Sequence, residues 1–423
     1  MNQKQLLNLL LFAVVLGSAW LLLRHREGST WVPDRTVAGG KLLGDFPVND
    51  ITQIVLRQGS NSVSLVKKED VWQVNERSGY PADFNRIRDF LLKVKDLKVV
   101  QSDTVGASQW TRLGLDAAAD GPRAPVSITF ENQSGAPVRT LLLGKQHVQK
   151  PRGGAADDAE GWPDGRYVRV GSSDAMALIS DPLENAESKP DAWLDKSFLR
   201  VQRPRSIEVD FPRATNSWRL SRDSESAEWK LANAKPDEKL DSDKVAGVSS
   251  PMSSPGFNDV FAGRILSLDG SNKPVVVKIG TFDDFTYTFS IGSKTNDDYP
   301  VALEVAAQIE NHRLMGKEEK PVDRERLDKE FADHRQKMED KLKQEQKFAA
   351  WTYLVQGWSI DPFLKERAQL LAEKKAEPAP GTAASGSIGN ELDKGESPGL
   401  PNHAAPSGTS KPAQSNSVQG TAE

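Results

Sequence analysis

Residues 51–74 read ITQIVLRQGSNSVSLVKKEDVWQV, and their pattern decides the fold. Ile51, Ile54 and Leu56 begin a strand, and Gln58-Gly59-Ser60-Asn61 turns it. Val63, Leu65 and Lys67 then alternate with Ser62, Ser64 and Val66 before Lys68-Glu69-Asp70 turns the chain into Val71-Trp72-Gln73-Val74. Alternation of period two between turn residues predicts a three-stranded antiparallel meander. Pro81-Ala82-Asp83 next opens a helix, with Phe84, Ile87, Phe90, Leu91, Val94 and Leu97 at helical spacing and Arg86, Arg88, Lys93 and Lys95 on the other side. A sheet with one apolar face must bury it, and the helix that follows is the nearest partner. Downstream, residues 125–130 and 138–143 around a turn at 132–135 predict a hairpin, and 166–170 and 177–179 predict further strands. Between them, residues 149–164 are rich in Gly, Ala and Asp and predict a mobile loop.

The same order then recurs. Ile207-Glu208-Val209-Asp210-Phe211 matches residues 51–56, Ser217-Trp218-Arg219-Leu220 matches 62–65, and Glu228-Trp229-Lys230-Leu231 matches 71–74, setting Trp229 opposite Trp72. Asp241-Ser242-Asp243-Lys244-Val245 opens a second helix, which Pro251 and Pro255 cut short. Residues 273–279 and 285–291 match the hairpin, Ile291-Gly292-Ser293-Lys294 echoes Leu143-Gly144-Lys145, and Tyr299-Pro300-Val301-Ala302-Leu303 matches 167–170. The expected fold is therefore α+β, with tandem duplicated antiparallel-sheet-plus-helix units. The two tryptophans are expected at the sheet–helix seams, each burying roughly 150–250 Å².

Residues 6–23 form an uncharged apolar stretch broken only by Asn8, Gly17 and Ser18. As a helix it would reach about 27 Å, close to the hydrocarbon thickness of a bilayer. This favours one N-terminal transmembrane helix, with a cleaved signal peptide or a buried soluble helix as the alternatives; the apolar run is long for a signal peptide and no A-x-A-like site follows, and a soluble helix apolar on every face would need a large surrounding domain. Lys4 and the amino terminus balance Arg24 and Arg26, so charge does not orient the span. Soluble sequence on its C-terminal side favours export.

The last third changes character. Residues 323–353 carry Leu327, Phe331, Met338 and Leu342 amid dense Lys, Glu and Arg, which predicts a long exposed helix of coiled-coil type. Phe348, Trp351, Tyr353, Leu354 and Trp358 form an aromatic cluster expected to dock on the body or on a partner, and Asp361-Pro362 is expected to start another helix carrying Phe363, Leu364, Leu370 and Leu371. The boundaries that follow are an anchor at 1–26, a linker at 27–45, units at 46–190 and 191–305, a charged helical arm at 306–375 and a disordered tail at 376–423.

The 423 residues carry a net charge of −4, so no global field draws nucleic acid. The absence of cysteine excludes disulfides, thiolate zinc sites, iron–sulfur clusters and cysteine nucleophiles. Gly292-Ser293-Lys294-Thr295 resembles the end of a phosphate loop, but Tyr287 stands where such a loop needs its first glycine. His25, His147, His312, His334 and His403 are scattered, and the pairs Asp157-Asp158, Asp283-Asp284 and Asp297-Asp298 read as solvated turns. The expectation is no catalytic, cofactor-binding or metal residue, no cofactor and no enzyme activity. Trp110, Trp162 and Trp193 are the residues a glycan- or peptide-binding module would use, and clustered acids in a deep pocket are what an unrecognised hydrolase would need.

A span followed by Ile51–Leu56, Val71-Trp72-Gln73-Val74 and Tyr80-Pro81-Ala82-Asp83, with Ala192-Trp193-Leu194-Asp195-Lys196 and Ile207-Glu208-Val209 later, resembles the bacterial family called domain of unknown function 4340, over residues 46–300. Members are similar to accessory proteins encoded beside gliding-motility-type ABC transporters. The resemblance implies a single-pass protein of the bacterial inner membrane, anchored through residues 6–23, with its soluble region on the periplasmic or extracellular side and a transporter subunit of the envelope as its protein partner. It supplies no catalytic residues.

Overall fold

A computed structural model describes residues 38–149, 161–266, 273–315 and 319–372. The expected anchor at 6–23 and tail at 376–423 lie outside the described residues, as does the middle of the 149–164 insert. Among the described residues no helix is long and apolar enough to cross a membrane.

The meander forms as β1 (Ile51–Gln58), β2 (Asn61–Lys68) and β3 (Val71–Val74). A bulge between Ile51 and Gln53 resets the phase of β1, so Ile51, Ile54 and Leu56 all face the core despite their uneven spacing. Glu69 and Asp70, both at positive φ, make the two-residue β2–β3 turn. After β4 (Tyr80–Pro81), Asp83 caps α1 (Phe84–Asp96) by accepting the backbone N–H of Arg86. Ile87, Phe90, Leu91 and Val94 of α1 are buried on the sheet. The chain continues through β5 (Val99–Thr104), α2 (Ala107–Leu113), β6 (Val126–Asn132), β7 (Pro137–Gln149), β8 (Trp162–Val170) and β9 (Ala175–Ile179). These strands make one antiparallel sheet ordered β4-β3-β2-β1-β6-β7-β8-β9-β5. Helix α1 thus carries the chain between opposite edges. The ends of the 149–164 insert are not loop: Gln149 pairs with Trp162 and Val148 with Pro163.

The second unit repeats this path with β10 (Pro204–Asp210), β11 (Trp218–Ser221), β12 (Lys230–Leu231), α3 (Ser242–Ser249), β13 (Phe257–Ala262), β14 (Val275–Thr281), β15 (Phe285–Ile291), β16 (Asp298–Ala307), α4 (Pro321–Gln346) and β17 (Trp351–Gln356). Its order is β12-β11-β10-β14-β15-β16-β17-β13, the first sheet's order without β4. The likeness extends to defects. The β10–β14 ladder has a bulge between Pro204 and Ser206 where β1–β6 has its own, and β13–β17 has one between Phe257 and Asp259 where β5–β9 has one between Val99 and Gln101. It also extends to closure. Ala82, before α1, pairs with Leu194, and Leu240, before α3, pairs with Leu371.

Several boundaries move. The second unit does not end at residue 305: β17 is its penultimate strand, so the charged helix is an insertion before β17 and not a separate arm. Nor is α4 a coiled-coil seam. Met338 and Leu342 pack on the protein's own core, and Lys341 lies 4.3 Å from the centre of the Phe285 ring. The eight residues of α3 bury only Val245 and Val248, so α4 supplies cover that α1 alone gives the first unit. The expected linker also enters the fold. Leu42 and Leu43 are buried, and the N–H of Leu42 donates to Leu97 O at 2.8 Å. Asp361-Pro362 begins a single 3-10 turn, Asp361–Leu364, followed by another at Arg367–Leu370, in place of a continuous helix. Tyr299 is one step out of register with Tyr167. Val168 and Val301 hold equivalent places opposite Leu143 and Ile291, so Tyr299 stands where the first unit has Arg166.

Gly144 and Gly292 recur for a packing reason. A Cβ on Gly144 would meet the carbonyl oxygen of Leu113, and one on Gly292 that of Leu266, where the chain after β5 or β13 crosses the hairpin. Gly144→Ala is expected to cost about 1–3 kcal/mol of unfolding free energy, the range for overpacking a rigid contact. Urea denaturation measures it, and an unchanged midpoint would mean that the crossing segment yields freely.

Candidate functional site

One continuous hydrophobic core runs through both units. At one end of the first sheet it gives way to polar side chains on β1, β7 and β8. On β1, Gln58 follows the buried Ile54 and Leu56 in the same alternation. On β8, Arg166 precedes the buried Val168 and Val170. Gln146 of β7 pairs directly across from Arg166, after a register shift at Gly144 and Lys145. Two clefts, of about 700 and 410 Å³, meet on Gln58, Gln146 and Arg166. The larger is walled by the segment after α2, including Asp116 and Asp120, and by Lys145; the smaller by Glu184 and residues 186–189.

Arg166 is the central charged group. Its Nε donates to Gly144 O at 2.8 Å, and its Nη1 to Pro182 O and Leu183 O at 3.3 and 3.4 Å. All are neutral carbonyls. Burial alone lowers the guanidinium's pKa from its ordinary value. Asp116, Asp120 and Glu184 line the clefts, yet among the described residues no carboxylate forms an ion pair with Arg166. Asp116 accepts from Thr111 and from the N–H of Ala118, and Glu187 is taken by Arg86 at 2.6 Å. Gln58 is held by donating to Ala124 O at 3.1 Å.

The equivalent position in the second unit is satisfied internally. Tyr299 donates its hydroxyl to Asp361 at 2.6 Å, and burial, reinforced by that carboxylate, pushes its pKa up to about 12.

The tryptophans singled out above do not converge. Trp193 is fully buried, with its Nε1 donating to Glu187 O at 2.8 Å and Arg86 over its ring at 4.9 Å. Trp110 packs with Leu113, Leu115 and Leu142 in a smaller cluster beneath Arg169. Trp162 stands 57% exposed at the start of β8. Trp72 is in the core as expected, whereas Trp229 is half-buried under Arg222. The aromatic segment at 348–353 docks on the body: Trp351 lies edge-on to Tyr80 at 5.1 Å, and Tyr353 packs on Phe198 at 4.6 Å. Trp358 stays exposed.

The remaining polar candidates are structural. His147 sits 2.6 Å from Asp164 on the β7–β8 ribbon, and Asp283 pairs with Arg203. Gly292 ends a strand of a hairpin, and Lys294 reaches Asp361 at 3.8 Å. His25, His403 and Asp157-Asp158 lie outside the described residues. Among the described residues no three acidic or histidine side chains are grouped to hold a metal ion. Reading the sequence missed the Gln58–Gln146–Arg166 junction. Its only trace there is a polar residue, Gln58 or Arg166, in phase with the buried residues at the end of β1 and of β8.

A family model described as Domain of unknown function (DUF4340) matches residues 72–274, from β3 to just before β14, inside the 46–300 region of resemblance. No curated protein and no solved structure matches the chain.

Proposed function

From the premise that residues 72–274 belong to the DUF4340 family, we propose that this chain is a non-catalytic interaction subunit of an envelope transport or assembly complex. Residues 6–23 hold it at the inner membrane, and its duplicated body stands on the periplasmic or extracellular side. The observation that carries this reading is the inserted segment between β16 and β17. It has no counterpart in the first unit, and Leu314, Met315 and Val322 are exposed within it, at 85%, 66% and 89%. Large apolar side chains gathered in one solvated segment mark a surface for a partner. The C-terminal half of α4 is committed to the core through Met338 and Leu342, which leaves the start of the helix for contact.

The test is affinity recovery of the intact chain from detergent-solubilised membranes. The expected result is co-recovery of a transporter or other envelope protein, lost in a Leu314→Glu/Val322→Glu variant whose unfolding midpoint is unchanged. Recovery of the chain alone, or co-recovery that the double substitution leaves intact, overturns the reading.

A further inference from the structure

We infer that the junction of the two clefts in the first unit is a binding site for a carboxylate-bearing ligand, received by Arg166. This does not rest on the interaction role proposed above. The duplicated fold supplies its own comparison. In the second unit the equivalent side chain, Tyr299, meets a carboxylate of the chain itself, Asp361, at 2.6 Å. In the first unit Arg166 meets only the carbonyls of Gly144, Pro182 and Leu183, and its Nη2 has no partner among the described residues.

A desolvated guanidinium without a counter-charge is costly, and a carboxylate is the anion whose planar geometry its fork matches. Backbone contacts already fix the Arg166 side chain, so little rotamer freedom is lost when an anion docks. Gln58 and Gln146 flank it with carboxamides able to hydrogen-bond the polar groups next to a carboxylate. Clefts of about 700 and 410 Å³ on either side have room for a ligand of dipeptide or single-sugar-acid size.

The test titrates the full-length chain in detergent with acetyl-alanyl-alanine, with the C-terminal amide of the same dipeptide, and with glucuronate, each to about 10 mM, which detects millimolar dissociation constants. Binding is followed by calorimetry. At least one of the two acids is expected to bind, and which one does distinguishes a peptide from a sugar source. The amide is expected to bind at least about tenfold more weakly than the dipeptide acid where that acid binds. Arg166→Gln is expected to lose about tenfold or more in affinity for the acid that binds.

Arg166 also ties down residues 182 and 183, so a variant that does not perturb those contacts is needed alongside it. Gln146→Glu places an isosteric carboxylate on the residue paired with Arg166, and is expected to abolish acid binding while the fold is retained. No binding by either acid, equal binding of amide and acid, or undiminished binding to Gln146→Glu overturns the assignment.

Discussion

Replacing Trp193 with alanine is expected to lower the free energy of unfolding by about 3–5 kcal/mol, the range for emptying a buried aromatic site. The side chain is fully buried. Its ring is edge-on to Phe90 at 5.5 Å and lies beneath Arg86, while its Nε1–H satisfies Glu187 O. Its carbonyl accepts the N–H of Asp83, the residue that caps α1. Truncation therefore opens a cavity beside the helix that covers the first sheet, and it also strips Glu187 of a donor. Trp193→Phe keeps most of the ring and is expected to cost about 1–3 kcal/mol, the penalty of an unmet buried acceptor. Guanidinium denaturation followed by circular dichroism measures both. A loss below about 1 kcal/mol for the alanine variant, the average for any substitution, would mean that the site collapses around the gap.

The second large effect lies between the units. Arg77, just after β3, donates from Nε and Nη2 to both carboxylate oxygens of Asp259 on β13, each at 2.6 Å. The side chains are only 20% and 17% exposed. The hydrogen bonds that Arg77 donates to Asp259 raise the pKa of its guanidinium, which stays charged. Beside it Tyr80 packs against Phe257 at 6.1 Å and Trp351 at 5.1 Å. Asp259→Ala would strand a half-buried guanidinium in this joint and is expected to cost about 2–3 kcal/mol, as for hydrogen bonds to charged groups. The joint double variant Arg77→Met/Asp259→Leu is expected to recover most of that loss, because it removes both charges together. Denaturation midpoints of the two variants against the parent decide the matter. A single variant within about 0.5 kcal/mol of the parent would assign the joint to the aromatic rings alone.

What could be read before folding was what the chain encodes locally. The β2–β3 turn at Glu69-Asp70, the cap at Asp83 and the apolar stripe of α1 each need only a few neighbouring residues, and each appears where the pattern places it. The duplication was legible because both copies keep the same inward positions, such as Leu65 and Leu220. Edge strands were harder. Residues 99–104 alternate weakly, and become β5 only because β9 pairs with them. Likewise β17 could not be assigned to the second sheet from a segment that follows a helix of 26 residues, since strand pairing is indifferent to the length of the connection.

The sequence by itself determined the α+β class, the repeat and the turns, because periodicity and turn chemistry are properties of adjacent residues. Only the tertiary structure decided that α4 lies on its own core, that Trp193 is sealed and that Gln58, Gln146 and Arg166 come together. Gln58 comes from a strand far from β7 and β8 in the chain, and an arginine's counter-charge, or the lack of one, is a matter of distance in space that no local pattern encodes.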